Sequence, residues 1–208
     1  RDRGPYNHVI KIVFSNEGKM HKYKGIEYEK FSEERLSKYA YKRADGANAG
    51  DHTPTSILNM KNPDKTVRNI LKSLRRILES LEDKNSSDYL LLNNSYVQIK
   101  EILFNDIVEH INNKIKSLNL PKKEGVILTL VFVDNGAERY VGDLPLIIEY
   151  LERINDERFY RKYNKESKGA SICYYCHEEK ETYGFVNTYN FYTVDKKSFV
   201  TGGFKQEN

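Results

Sequence analysis

Cys173 and Cys176 are the only cysteines of the chain. They stand three apart, with His177 directly after, in the stretch GASICYYCHEEKETYGFVNTYNFYTVDK. Four chemistries use such a pair. A thioredoxin-like redox pair needs its first cysteine at a helix N-terminus after a strand. Here Ser-Ile precedes the pair, and His-Glu-Glu-Lys and an aromatic β pattern follow. C-x-x-C-H is also the pattern of c-type haem attachment, which needs export and a second axial ligand. No export signal is visible, and the only methionines are Met20 and Met60. A structural zinc site fits better, since two thiolates on a tight turn are half of a zinc ribbon. Zinc takes four ligands. His177 is a possible third, though a residue next to a ligand more often points to solvent. The simplest completion is a second C-x-x-C beyond Asn208. The remaining reading is two unliganded thiols in a β-turn.

Other residues could bind rather than react. Residues 64–83 have Val67, Ile70, Leu71, Leu74, Ile77, Leu78 and Leu81 at helical spacing. Arg68, Lys72, Arg75 and Arg76 fall together on the opposite side, spaced to follow a phosphate backbone. A solvated helix face is the alternative. The segment RFYRKYNK, residues 158–165, reads as a short helix. It interleaves Arg158, Arg161 and Lys162 with aromatics, and Lys168 follows. That pairing suits backbone contact with base stacking. Packing of Phe159 and Tyr163 against a core explains it equally well. The stretch KRADGANAGDHTPTS, residues 42–56, reads as a long loop. It offers Lys42, Arg43, glycine amides and the hydroxyls of Thr53, Thr55 and Ser56. Asn48 has the carboxamide that pairs with an adenine edge, and His52 reads as a surface histidine. There is no P-loop, HExxH, GxSxG or nuclease-type His-Asp cluster in the sequence.

The elements that must position these residues follow from pattern. HVIKIVF (8–14) reads as a strand and KYKGIEYEK (22–30) as a more exposed one, joined through the turn residues Asn16-Glu17-Gly18. Ser32 N-caps a helix with Leu36, Tyr39 and Ala40 on one face. KNSSD (84–88) reads as a break, and a second long helix as running from about Ser95 to Leu118. VILTLVFV (126–133) is apolar without alternation, so it reads as a strand covered on both faces. Asp134-Asn135-Gly136 turns the chain. Asp143 caps a helix beginning near Pro145, with Leu146, Ile147, Tyr150, Leu151 and Ile154 inside. Residues 170–204 read as knuckle, strand, strand and glycine turn. The sum is an α+β fold: a mixed sheet with several packed helices, then the first half of a zinc-ribbon-like β-hairpin. The expected division is 1–168 and 169–208.

Composition bounds the rest. The chain has 208 residues, 38% hydrophobic and 31% charged, with net charge +4 and a pI near 8.8. That is enough chain for a real core, and the mild basic excess permits a nucleic-acid partner. No apolar run reaches membrane-spanning length. Two cysteines three apart exclude a disulfide framework, which points to the cytoplasm. A chain opening on Arg1 reads as a segment of a longer protein.

CYYCHEEKETYGFVNTYNFYTVDKKSFVTGGF resembles the cysteine-knuckle region of the large subunit of type I-B CRISPR effector (Cascade) complexes. The similarity lies in the C-x-x-C, the step Tyr183-Gly184-Phe185, the block Phe191 to Lys196, and Gly202-Gly203-Phe204. Upstream, KYAYKRADGANAGDHTPTS and VDNGAERYVGDLP are similar as well. The family's second C-x-x-C lies beyond this sequence. The resemblance implies a non-enzymatic, nucleic-acid-binding subunit with crRNA, target DNA, other Cascade subunits and a helicase-nuclease as partners. It implies that the subunit helps hold the crRNA handle, read the motif flanking the target and recruit the nuclease. It also implies zinc, with Cys173 and Cys176 as half its ligands in this chain. Against it stand a metal-dependent nuclease and a CxxC redox or haem protein.

Overall fold

The computed structural model describes residues 6–18, 20–42, 51–120, 124–162, 165–166, 168–173 and 175–183. Two compact units divide the chain, Arg1–Ile148 and Glu149–Asn208.

The first unit is built on β1 (Tyr6–Asn16) and β4 (Gly125–Asp134), which run parallel at the centre of a five-stranded sheet. Parallel strands are covered on both faces, which is why both read as continuous apolar runs. β2 (His21–Lys30) pairs antiparallel with β1 at one edge. β3 (Ser56–Ile57) and β5 (Ala137–Tyr140) both pair antiparallel with β4 on its other side. The sheet is therefore mixed, and with its packed helices the fold is α+β as expected. Gly18 closes the first turn at φ 85°. The register slips between Val13 and Phe14, opposite Tyr23 and Gly25, so Lys24 is the extra residue of a bulge.

Side chains alternate across the sheet. Val9, Ile127 and Val131 pack with Tyr39 and Tyr140 on one face, flanked by Tyr6 and Phe31. Ile10, Ile12, Phe14, Leu128, Leu130 and Phe132 point the other way and are buried. The helices α2 (Pro63–Glu79), α3 (Ser87–Gln98) and α4 (Phe104–Leu118) supply further buried side chains, among them Ile70, Leu74, Ile77, Leu92, Ile107 and Ile111.

Several boundaries differ from expectation. KNSSD does break the chain between α2 and α3, but its last two residues already belong to α3: the Ser86 hydroxyl caps that helix, accepting the Tyr89 N–H at 3.2 Å. The second helix thus begins well before Ser95. A π-helical turn, Ile99–Leu103, separates α3 from α4. The Ser32 helix is a 3-10 turn, Glu33–Arg35, followed by one α turn, α1 (Leu36–Tyr39). Ser32 makes no side-chain cap there, Tyr39 is buried and Leu36 is exposed.

Asp143 does not cap the helix that follows it. Its carboxylate accepts the Tyr140 N–H at 2.8 Å and closes the 3-10 turn Val141–Asp143. The helix α5 (Pro145–Tyr160) instead has its Leu146 N–H at 3.4 Å from Asp88 Oδ2, a carboxylate on α3. Leu146, Ile147 and Tyr150 are buried, and Leu151 and Ile154 half-buried.

In the second unit the expected helix over 158–165 is absent. Residues to Tyr160 finish α5, and β6 (Arg161–Lys162) pairs with β7 (Lys165–Glu166). β8 (Lys168–Ile172) and β9 (Glu179–Tyr183) form an antiparallel hairpin. The strands expected across GFVNTYNFYTVDK and the Gly202-Gly203 turn lie outside the described residues.

Candidate nucleic-acid interface and cysteine knuckle

The cysteine pair occupies the turn between β8 and β9. Cys173 N–H donates to Glu178 O at 2.8 Å, and His177 N–H donates to Cys173 O at 2.8 Å. His177 adopts φ 57°, the left-handed region in which non-glycine residues are uncommon. Its side chain is exposed. His177 therefore has a backbone reason for its position, as the residue that closes the turn.

The Cys173 sulfur lies in the field of the backbone amides of Cys176 and Tyr175. With a side-chain bond to Cys176 and the nearby Lys180 charge, they hold the thiol below its ordinary pKa. Lys180, in β9, was not among the sequence candidates. Its ammonium is raised by a hydrogen bond to Cys176 and by the charges of both sulfurs. Only the strand that returns from the turn brings Lys180 back to them. Cys176 Sγ also lies 3.6 Å from Glu178 Oε2.

The arrangement favours thiolate at Cys173, the form that binds metal. Cys173 and Cys176 on one tight turn fit two of the four ligands of a zinc site. Among the described residues no group of three or more His, Cys, Asp or Glu could hold a metal ion, so the remaining ligands would come from elsewhere. The setting is an antiparallel hairpin tip, not the helix N-terminus a thioredoxin-like pair uses.

On α2, Arg68, Lys72 and Arg75 are exposed and Arg76 is half-buried. The four do not form an unbroken cationic row. The Arg68 guanidinium lies over the Phe104 ring at 4.7 Å, with Asp64 at 3.9 Å. Arg75 pairs with Glu79 at 2.7 Å. Exposed pairs of this kind contribute little.

The 42–56 segment divides at its middle. Lys42 N–H donates to Thr53 Oγ1 at 3.3 Å, and His52 N–H donates to Lys42 O at 2.8 Å, which closes the base of the loop. Thr53, Thr55 and Ser56 are buried. Thr55 Oγ1 meets Thr129 Oγ1 at 2.8 Å, so these hydroxyls face the interior rather than a ligand. His52, expected at the surface, is half-buried. Arg43 and Asn48 lie outside the described residues, as do the side chains of Arg158, Arg161 and Lys162. Lys168 is described, 3.7 Å from Glu181 across the β8–β9 hairpin.

A charge cluster that the sequence reading missed lies on the α1 side of the sheet. Lys11, on the central strand and 5% exposed, reaches Glu138 at 2.6 Å, Glu27 at 3.4 Å and Glu29 at 3.7 Å. Tyr140 donates to Glu29 at 2.7 Å, and Tyr39 donates to the other Glu29 oxygen at 3.0 Å. Arg35 meets Glu29 at 2.9 Å. The one lysine inside the apolar run HVIKIVF was the available signal. Every polar atom named here is matched by an opposite or hydrogen-bonding partner, which marks the cluster as a clamp between β1, β2, β5 and α1.

Among the described residues, no helix is long and apolar enough to cross a membrane. No curated protein and no solved structure matches the chain. Two family models do. The model of the CRISPR-associated protein TM1802 (cas_TM1802) N-terminal domain matches residues 1–153, and that of its central domain matches residues 170–208. The first spans the whole β1–β5 sheet with its helices, and the second contains the knuckle, so the chain belongs to the CRISPR-associated protein TM1802 family.

Proposed function

We propose that this chain is a non-catalytic, nucleic-acid-binding part of a CRISPR interference complex, of the large-subunit type found in Cascade. Its work would be to hold the crRNA handle, help read the motif flanking the target and support recruitment of a helicase-nuclease. The partners would be crRNA, target DNA, the other subunits and that nuclease, in the cytoplasm. Membership of a CRISPR-associated family carries this reading. In RNA-guided systems base pairing reads the sequence, while protein reads the flanking motif and the backbone. Arg68, Lys72 and Arg75, the exposed cations of α2, supply the phosphate-binding surface.

Cys173 and Cys176 would hold zinc together with two ligands from elsewhere. The metal's contribution is to fix the hairpin, not to react. The lowered Cys173 thiol supports that role.

The test is binding of single-stranded RNA and duplex DNA at several salt concentrations. Replacing Arg68, Lys72, Arg75 and Arg76 together by glutamate should weaken binding and flatten the dependence of log K on log salt, since each lost phosphate contact removes a counterion-release term of about 0.7–0.9 from that slope. Unchanged affinity and slope would remove α2 from the interface. Metal-dependent cleavage of either substrate would overturn the non-catalytic reading.

A further inference from the structure

Tyr175 is 93% exposed, the most open large hydrophobic side chain among the described residues, and Ile172 beside it is 63% exposed. Tyr175 sits between the two cysteines at the very tip of the β8–β9 hairpin. Its backbone is not loose. Cys173 N–H donates to Glu178 O and His177 N–H returns to Cys173 O, both at 2.8 Å. A hydrogen-bonded turn thus presents an aromatic ring that is almost wholly exposed, and an exposed ring gains nothing from folding.

We propose that Tyr175 is a stacking platform for an unpaired base of single-stranded nucleic acid. The inference rests on the nucleic-acid reading above and names a residue and a ligand class for it. A ring held on a rigid turn loses little freedom on binding, and base–aromatic stacking is indifferent to base identity. A strand would meet the ring over the turn itself rather than over the acids of β9. From Cys173 to His177 there is no carboxylate in the sequence. Three acids follow the turn: Glu181 is 3.7 Å from Lys168, Glu178 Oε2 is 3.6 Å from Cys176 Sγ, and Glu179 is exposed in β9. Lys180 adds a cation beside the sulfurs. A duplex has no free base face to offer, so the platform distinguishes single strands from paired ones.

The chain contains no tryptophan, so Tyr175→Trp introduces one indole as a reporter at the tip. The probe is a mixed-sequence RNA or DNA oligonucleotide, used single-stranded and annealed to its complement. The single strand is expected to quench the indole emission, and the duplex to leave it unchanged. Tyr175→Ala should weaken single-strand binding about tenfold, as expected for one lost stack, while Tyr175→Phe retains it. A solvent-exposed tip tolerates all three changes, and circular dichroism checks that it does. If the wild-type chain binds the single strand in a salt-dependent way but Tyr175→Ala binds as tightly and the indole is silent, the platform is wrong and the nucleic-acid reading survives. If the wild-type chain binds neither strand form, both fall. Indole quenching by a protein subunit and not by the oligonucleotide would overturn the platform in favour of a protein-docking anchor.

Discussion

Asp88 and Arg139 join across 51 residues of sequence: Arg139 Nη2 donates to Asp88 Oδ1 at 3.1 Å. The other Asp88 oxygen faces the Leu146 N–H at 3.4 Å, in the first turn of α5. One nearly buried carboxylate at the start of α3 thus holds the β5 strand and serves an otherwise orphan helix N–H. Asp88→Ala removes both acceptances and leaves Arg139 without this partner. It should cost about 2 kcal/mol in urea unfolding, near the sum of a lost cap and a charged hydrogen bond. Asp88→Asn, which keeps an acceptor, should lose less. Equal stability of Asp88→Ala and wild type would show that α5 does not depend on this carboxylate.

Gly142 is the second close fit. A Cβ placed there would lie 2.0 Å from Ser37 O and 2.8 Å from Lys38 O, both backbone atoms of α1. Gly142→Ala must therefore push α1 away from the 3-10 turn before α5. A destabilisation of about 2 kcal/mol or more is expected, at the upper part of the overpacking range. Gly169→Ala, where an added Cβ meets nothing within 4 Å, should change stability by less than about 0.5 kcal/mol. The difference between the two thermal midpoints measures the contact.

The sheet's central strands were legible because burial on both faces forces an unbroken apolar run, as in VILTLVFV. The α2 helix was legible because its buried residues recur at helical spacing. The true cap of α5 was not, since Asp143 is adjacent in sequence and Asp88 is not. Local rules chose the nearer carboxylate, while folding gave Asp143 to Tyr140 N–H instead. The hydroxyls of Thr53, Thr55 and Ser56 misled for a related reason. A Gly- and Pro-flanked polar stretch reads as surface loop, yet pairing of Ser56 with Leu128 draws it into the sheet. In the knuckle, the cysteine pair was legible as residue types, but Lys180 joins it only through the hairpin register. The Phe104 ring under Arg68 likewise comes from a distant helix, whereas the pairs Arg68–Asp64 and Arg75–Glu79 stand four residues apart on α2 and were open to the sequence.

The Lys11 cluster should set the pH limits of stability. Burial pushes the Lys11 ammonium down, but the Glu138 hydrogen bond and the charges of Glu138, Glu29 and Glu27 outweigh it, so its pKa stands above the usual lysine value. Burial pushes the Glu138 carboxyl up, and bonds from Lys11 and Tyr140 with the charges of Lys11 and Arg35 bring it below the usual range. Burial and the bond to Glu29 raise the Tyr39 hydroxyl to about 12. The raised Lys11 and Tyr39 groups stabilise the fold below their unfolded pKa values, near 10. That contribution is lost as pH climbs through their folded values. The lowered Glu138 stabilises above its unfolded pKa, near 4.3, and is lost as pH falls through its folded value. The urea midpoint should therefore be flat from about pH 5 to 9 with respect to these groups. Lys11→Met leaves three carboxylates facing one another without their common cation. It should cost about 3 kcal/mol at neutral pH and shrink the acid-side loss. An acid limb identical to wild type would exclude Glu138 as its source.

The knuckle makes a prediction about metal. If Cys173 and Cys176 are zinc ligands in the whole protein, metal content should fall when either is replaced by serine. Cobalt substituted for zinc should then lose its thiolate charge-transfer absorption as well. His177→Ala should change neither reading, because His177 is an exposed turn-closing residue, and His177→Gly should be tolerated at its φ of 57°. A redox pair behaves differently. It would form a disulfide under mild oxidation without displacing any metal, and would exchange with a small dithiol at a rate abolished in Cys173→Ser. Quantifying zinc and free thiols on the same sample separates the two. Bound zinc with thiols that become titratable only after chelation supports the ribbon. Metal-free protein with a reversible Cys173–Cys176 disulfide would transfer the lowered Cys173 pKa from metal binding to redox chemistry.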